Sequence, residues 1–232
     1  MSTLAAELKV TIEAWADELR QNPVRALAAQ GRVTPRALAV YLESLRYLFG
    51  HSERNLREAA ERARMLGLLD LEEYFASKSR EENGHAGWAS SDLTRLPAGA
   101  TDDVQPTMAV LELVSLQRRL IGAHPFCFLG YSLLAEYLTA LLGDEWMDAL
   151  GGSGYERSQL SAVAQHLEAD RAHATHAFAE ADVLWRPGYP DLQVVLSGMS
   201  EAKDLFGAFC DEIYREAKRD GIALAELGVE RH

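Results

Sequence analysis

An all-α fold is what this sequence predicts, and three observations carry the prediction. Leu and Ala dominate, and Pro occurs only 7 times in 232 residues. No run of alternating β-branched residues, the mark of a half-buried strand, survives inspection. Helix-start and helix-stop signals instead follow one another from end to end.

The elements can be justified in order. A first amphipathic helix spans about residues 3–20, and the segment NPVRALAAQG after it is a short helix closing at Gly31. Thr34 and Pro35 supply an N-cap and a proline for the first helical position. They open a long helix that carries YLESLRYLFGHSERNLREAAERAR and stops near Gly67. The next helix is expected from about 69 to 96. LPAGATDDVQP, dense in Gly, Pro and Asp, reads as a loop. Helices follow at about 107–121 and 125–142, with a short one at 144–150 before the GGSG break. A helix over 155–184, the break WRPGYPD and a last helix over 192–219 complete the chain. No linker is long enough to separate domains and no internal repeat occurs, so residues 1–232 read as one bundle.

Composition excludes several classes of function. The net charge of −12 argues against nucleic acid and against an anionic membrane surface as partners. Cys127 and Cys210 form no CxxC or finger spacing, which argues against a disulfide framework and a thiolate zinc site. The N-terminal MSTLAAELKVTIEAWADELR carries acids and lacks the basic start and uninterrupted apolar core of a signal peptide. The most apolar stretch, residues 126–142, contains Glu136 and falls short of a comfortable membrane span. A reducing, cytoplasmic location is therefore expected.

Three histidines and three carboxylates carry the chemistry. In AQHLEADRAHATHA, His166, Asp170 and His173 stand at i, i+4 and i+7, within an arc of about 60° on one helix face. Ala162, Ala169 and Ala177 lie on or beside that face, so little bulk obstructs it. Mixed nitrogen and oxygen donors suit iron or manganese better than structural zinc. The competing reading is an exposed polar face that happens to carry histidines. Glu136 sits in LGYSLLAEYLTALL, a segment apolar almost all round, where a bare carboxylate would lose solvation or take up a proton. Bound metal removes that cost; pairing with a buried Arg or Tyr is the alternative. In REENGHAGW, Glu82 and His85 share a helix face at i and i+3, and Glu81 competes with Glu82 as a ligand. Asp92, one face-repeat beyond His85, reads as a partner for an imidazole or as a surface ion pair. Together these six groups suit iron or manganese, with two ions, inside a helical bundle.

The ordered set Glu82-x2-His85, Glu136, His166-x3-Asp170-x2-His173, set in EENGHAGWASSDL, LGYSLLAEYL and HLEADRAHA, resembles the haem-oxygenase-like di-iron oxidases and oxygenases. The resemblance covers residues from about 22 to 184. It implies a bundle of about seven helices with a central metal site, and all six residues map onto family ligand positions. In some members the first His lies further downstream of its Glu. The implied cofactors are Fe(II)/Fe(III), two ions, with Mn at one position as a variant and dioxygen as co-substrate.

The implied activity is oxidation of a small amino acid, amine or fatty acid by desaturation, C–C cleavage or N-oxygenation through a peroxo-diferric species. An external electron donor and a homodimer are compatible with it. Relatives on the same scaffold supply the alternatives. Haem degradation would need a proximal histidine on the first helix, yet the first histidine is His51. A thiaminase-like hydrolase needs a cysteine nucleophile, and Cys127 falls on the opposite side of its helix from Glu136. A metal-free quinone-cofactor synthase has little use for the carboxylates. A metal-binding or sensing scaffold without turnover is the remaining class. On the long helix, Glu43, Tyr47 and His51, with Arg46 and Arg54 close by, are candidates to face the substrate.

Overall fold

A computed structural model describes residues 3–226, apart from the side chains of 175, 177 and 223–226, so the expectation for Ala177 lies outside what it describes. Helices α1 (Leu4–Arg20), α2 (Pro23–Ala29) and α3 (Pro35–Met65) open the chain. Each begins at a polar cap: Thr3 accepts from the Ala6 amide, Asn22 from Val24 and Thr34 from Ala37. Those bonds satisfy amides that a first turn leaves without a partner. α4 (Leu69–Glu81) and α5 (His85–Leu93) follow, then α6 (Met108–Ala123), capped by Thr107, and α7 (Pro125–Gly152), capped by His124. A 3-10 turn, Arg157–Gln159, leads into α8 (Ser161–Leu184), and α9 (Leu192–Glu226) ends the described chain. No strand occurs among the described residues.

Four boundaries differ from the sequence expectation. The helix expected over 69–96 is two helices. Glu82 ends α4, Gly84 turns the chain at φ 90°, and His85 starts α5. Only glycine enters that left-handed region freely. Conversely, the segments expected at 125–142 and 144–150 form one helix of 28 residues. Gly143 lies inside it, where a Cβ would meet Leu167 Cδ1 at 2.6 Å. This glycine serves a close approach between α7 and α8. α8 starts at Ser161 rather than Tyr155, and α9 runs beyond residue 219. Nine α-helices are thus described, two more than the resemblance implies, counting the short α2 and the separate α5.

The helices enclose two buried apolar clusters. One is built around Phe75, Leu113, Phe126, Leu129 and Met199, the other around Leu38, Leu42, Leu150, Leu160 and Leu167. Tyr41, Leu45, Phe49 and Trp146 pack against both. α7 is long and apolar enough to cross a membrane by length and composition. It packs along α8, α9, α2, α6 and α1 as a core helix of the bundle.

Candidate metal centre

The site forms where the end of α4, the start of α5 and the middles of α7 and α8 meet. The Gly84 turn separates Glu82, at the end of α4, from His85, at the start of α5, so their proximity comes from a turn and not from one helix face. His85 Nδ1 lies 3.2 Å from Glu82 Oε2, although the pair is not aligned as a hydrogen bond. His166 enters from α8, and one donor atom each of Glu82, His85 and His166 lie within 4.8 Å of one another. Aromatic neighbours set both rings. His85 stacks on Trp88 with centroids 4.0 Å apart, and His166 stacks on Phe49 at 3.9 Å. The two imidazoles meet edge to face at 4.7 Å.

The other three predicted residues lie on the adjoining side. On α8, Asp170 stands between His166 and His173, each 3.9 Å from one of its oxygens: His166 Nδ1 from Oδ2 and His173 Nδ1 from Oδ1. His173 Nε2 is 3.3 Å from Glu81 Oε2. Glu136 reaches Lys78 Nζ through Oε1 at 3.3 Å, and the same ammonium lies 3.4 Å from Glu81. Glu81 and Glu82 therefore face different partners. Each places its carboxylate on a different side of the cluster.

Electrostatics follow from burial and this crowding. Burial opposes the charge on Glu82, but His85, His166 and Lys78 outweigh it and hold its carboxyl below the usual range. Burial raises Glu136 to about 7, helped by Asp170 and Glu82 and resisted by Lys78. His173 is lowered by burial and by Lys78, against the pull of the surrounding carboxylates. The Tyr74 hydroxyl, pushed well up by burial and by Glu136, has no hydrogen-bond partner.

The donors fit a metal ion. His85 Nδ1, His166 Nε2 and Glu136 Oε2 are buried without a hydrogen-bond partner. Leaving such atoms unpaired costs about 1–3 kcal/mol each, and a cation would satisfy them. Glu82, His85 and His166 offer two nitrogens and a carboxylate oxygen, a set that suits Fe(II) or Mn(II).

A cavity of about 310 Å³ adjoins this cluster and is walled by Glu82, Glu136, His166, Asp170 and Lys78 on one flank. It lies between the two apolar clusters, with Leu45, Leu48, Phe49, Phe128 and Phe209 among its walls. The Tyr131 hydroxyl is a polar point on this lining and accepts from Gln117 Nε2 at 2.8 Å. Farther along α7, Glu145 pairs with Arg20 and Arg25 at the cavity wall, each at 3.0 Å.

Several expectations are corrected here. Glu43 and Arg46 bind each other, His51 bonds the Tyr47 carbonyl, and none of Glu43, Tyr47, His51, Arg46 or Arg54 lines the cavity. The face of α3 that does so is apolar apart from Ser52, through Tyr41, Leu45, Leu48, Phe49 and Leu56. Asp92 touches no imidazole and is fully buried. It caps α8 by accepting from the Ala162 amide at 2.7 Å and from the Ser161 hydroxyl. The histidine motifs do not point to Lys78 as a partner of Glu81. Tyr74, Lys78 and Glu81 repeat on α4 at the same i, i+4, i+7 spacing that singled out α8, and that spacing was the available signal.

No protein-family model and no curated protein sequence matches the chain. Solved structures do. A domain of unknown function with a haem oxygenase-like fold from Shewanella denitrificans superposes with a TM-score of 0.77 at 17% identity, covering 91% of this chain and 92% of that one. A CADD-like protein of unknown function from Nostoc punctiforme gives 0.69 at 15%, covering 91% and 98%. A TenA homologue from Pseudomonas syringae pv. tomato gives 0.61 at 15%, covering 87% and 93%. The fold is haem-oxygenase-like, as the motifs led one to expect.

Proposed function

We propose that this protein is a non-haem, iron-dependent oxidase or oxygenase that activates dioxygen and acts on a small organic substrate. One observation carries the reading: buried, unpartnered nitrogens of His85 and His166 converge with a carboxylate oxygen of Glu82 beside a largely apolar cavity. Glu82, His85 and His166 would hold an ion, with Glu136, Asp170, His173 and Glu81 beside it. Bound iron supplies the electrons that reduce dioxygen. The chain's own residues do the rest. Phe49 and Trp88 keep the imidazoles in place, and apolar walls from α3, α7 and α9 limit their contact with water, which strengthens charge interactions there. The apolar lining favours a substrate with a hydrocarbon body, in the class of amino acids, amines or fatty acids. A second iron, manganese at one position, an external electron donor, a cytoplasmic setting and a homodimer belong to the same reading.

Hydrolysis of the thiaminase type has less support. Burial pushes Cys127 upward and Cys210 to about 12, so neither thiol is activated as a nucleophile. A metal-binding or sensing scaffold would take up iron without multiple turnovers of an organic compound, and the cavity argues for turnover. The test is anaerobic Fe(II) loading, then rapid mixing with oxygen while acids and amines are screened. Compounds in the substrate class should change the formation or decay of a coloured species and consume oxygen repeatedly. His166→Ala and Glu136→Ala should abolish the signal; if it persists in both, the ligand assignment is wrong.

A further inference from the structure

The ligand cluster contains a cation of its own. Lys78 extends from α4 with only 12% of its side chain exposed and places Nζ between Glu136 and Glu81. Its charge also bears on Glu82 and His173, so it sits within the electrostatic reach of both halves of the site. Glu136 uses Oε1 for this ammonium and leaves Oε2 buried without a hydrogen-bond partner. Glu82, His85 and His166, by contrast, converge with no lysine ion pair among them.

We infer that the Lys78 ammonium occupies the place of a second cation. One divalent ion then binds tightly at Glu82, His85 and His166, and another enters among Glu81, Glu136 and His173 only by displacing Lys78. This rests on the proposed metal reading and states how that site is filled. Charge supports it. Glu82, Glu136 and Asp170 bring three carboxylates into a largely buried site and the more exposed Glu81 adds a fourth at its edge, a concentration that needs compensation. One divalent ion and Lys78 supply three positive charges against four; a second divalent ion beside Lys78 would exceed them. Lysine can leave, because its ammonium sits on a flexible four-carbon stem. Leaving breaks both ion pairs, which separates the two binding steps.

Mn(II) alone is the probe, followed by equilibrium dialysis with metal analysis and by low-temperature electron paramagnetic resonance. The unaltered protein should take up one ion tightly and give an isolated six-line signal, with a second ion bound far more weakly. Lys78→Met should take up two, with the six-line signal replaced by that of an exchange-coupled pair, and tighten the second step by at least roughly tenfold, about 1.4 kcal/mol. Lys78→Arg, which keeps the charge, should still hold one. Circular dichroism checks that both variants remain helical.

A measurement on the unaltered protein does not depend on a variant folding. Amine acylation read by mass spectrometry should find Lys78 protected with one ion bound and reactive once Mn(II) fills the second position. Two equally tight ions in the unaltered protein, one ion in a folded Lys78→Met, or protection of Lys78 that outlasts the second ion would each overturn the inference. Absence of Mn(II) binding in every form would instead overturn the metal reading itself.

Discussion

His124 closes the first turn of α7 by accepting the Phe126 amide at Nδ1, 3.1 Å away, which only a neutral imidazole can do. Burial first, and Arg62 second, lower its pKa from the ordinary value of 6.5. The folded state therefore binds a proton less readily than the unfolded chain. The stability this residue contributes is complete above about pH 6.5 and is lost as pH falls below that value. His124→Asn keeps a capping oxygen and removes the titration. Its thermal midpoint should stay near that of the parent at pH 8, and the parent should lose more stability than the variant between pH 7 and pH 5. Parallel curves would mean that the cap does not sense pH.

Asp92 and Gly152 show how helices are set against one another. Leu160 gives α8 no side-chain cap, and Asp92 from α5 provides it across 70 residues of sequence. Arg95 ties the same carboxylate and the Ser158 carbonyl together. This bond network fixes the start of the helix that presents His166, Asp170 and His173. Asp92→Ala should cost about 2–4 kcal/mol by urea unfolding, the range for losing charged cap and buried hydrogen bonds, and should weaken Mn(II) binding as α8 shifts. At the crossing of α2 and α7, a Cβ on Gly152 would meet the Ala29 carbonyl oxygen at 2.9 Å and its Cα at 3.1 Å. Backbone cannot rotate away as a side chain can. Gly152→Ala should therefore destabilise by about 1–3 kcal/mol despite the better helix propensity of alanine. A raised urea midpoint would show that the crossing has slack.

For the bundle as a whole, the unpartnered donors at its centre are a standing cost that a bound ion removes. An ion that binds only the folded state stabilises it by mass action. Mn(II) at about a hundred times its Kd should raise the thermal midpoint by roughly 5–10 °C for a chain of this size. A chelator should reverse the shift, and His166→Ala should not show it. Equal shifts in the parent and in His166→Ala would place the ion elsewhere.

Much of this molecule was legible in one dimension. Apolar spacing, Thr34-Pro35 and the GGSG break located most of the helices, because periodicity and capping are local properties. The i, i+4, i+7 set on α8 was visible for the same reason, since a helix face depends only on spacing. Local rules failed where a neighbour from far along the chain took over. Gly143 reads as a breaker until Leu167 packs on it, and Asp92 reads as a surface acid until the start of α8 arrives to be capped. Gly84 turns the ExxH pair around a corner that spacing alone treats as helix. Helix spacing alone pairs Lys78 with Glu81, but only packing sets its ammonium against Glu136, because charges separated along the chain meet only when their helices do.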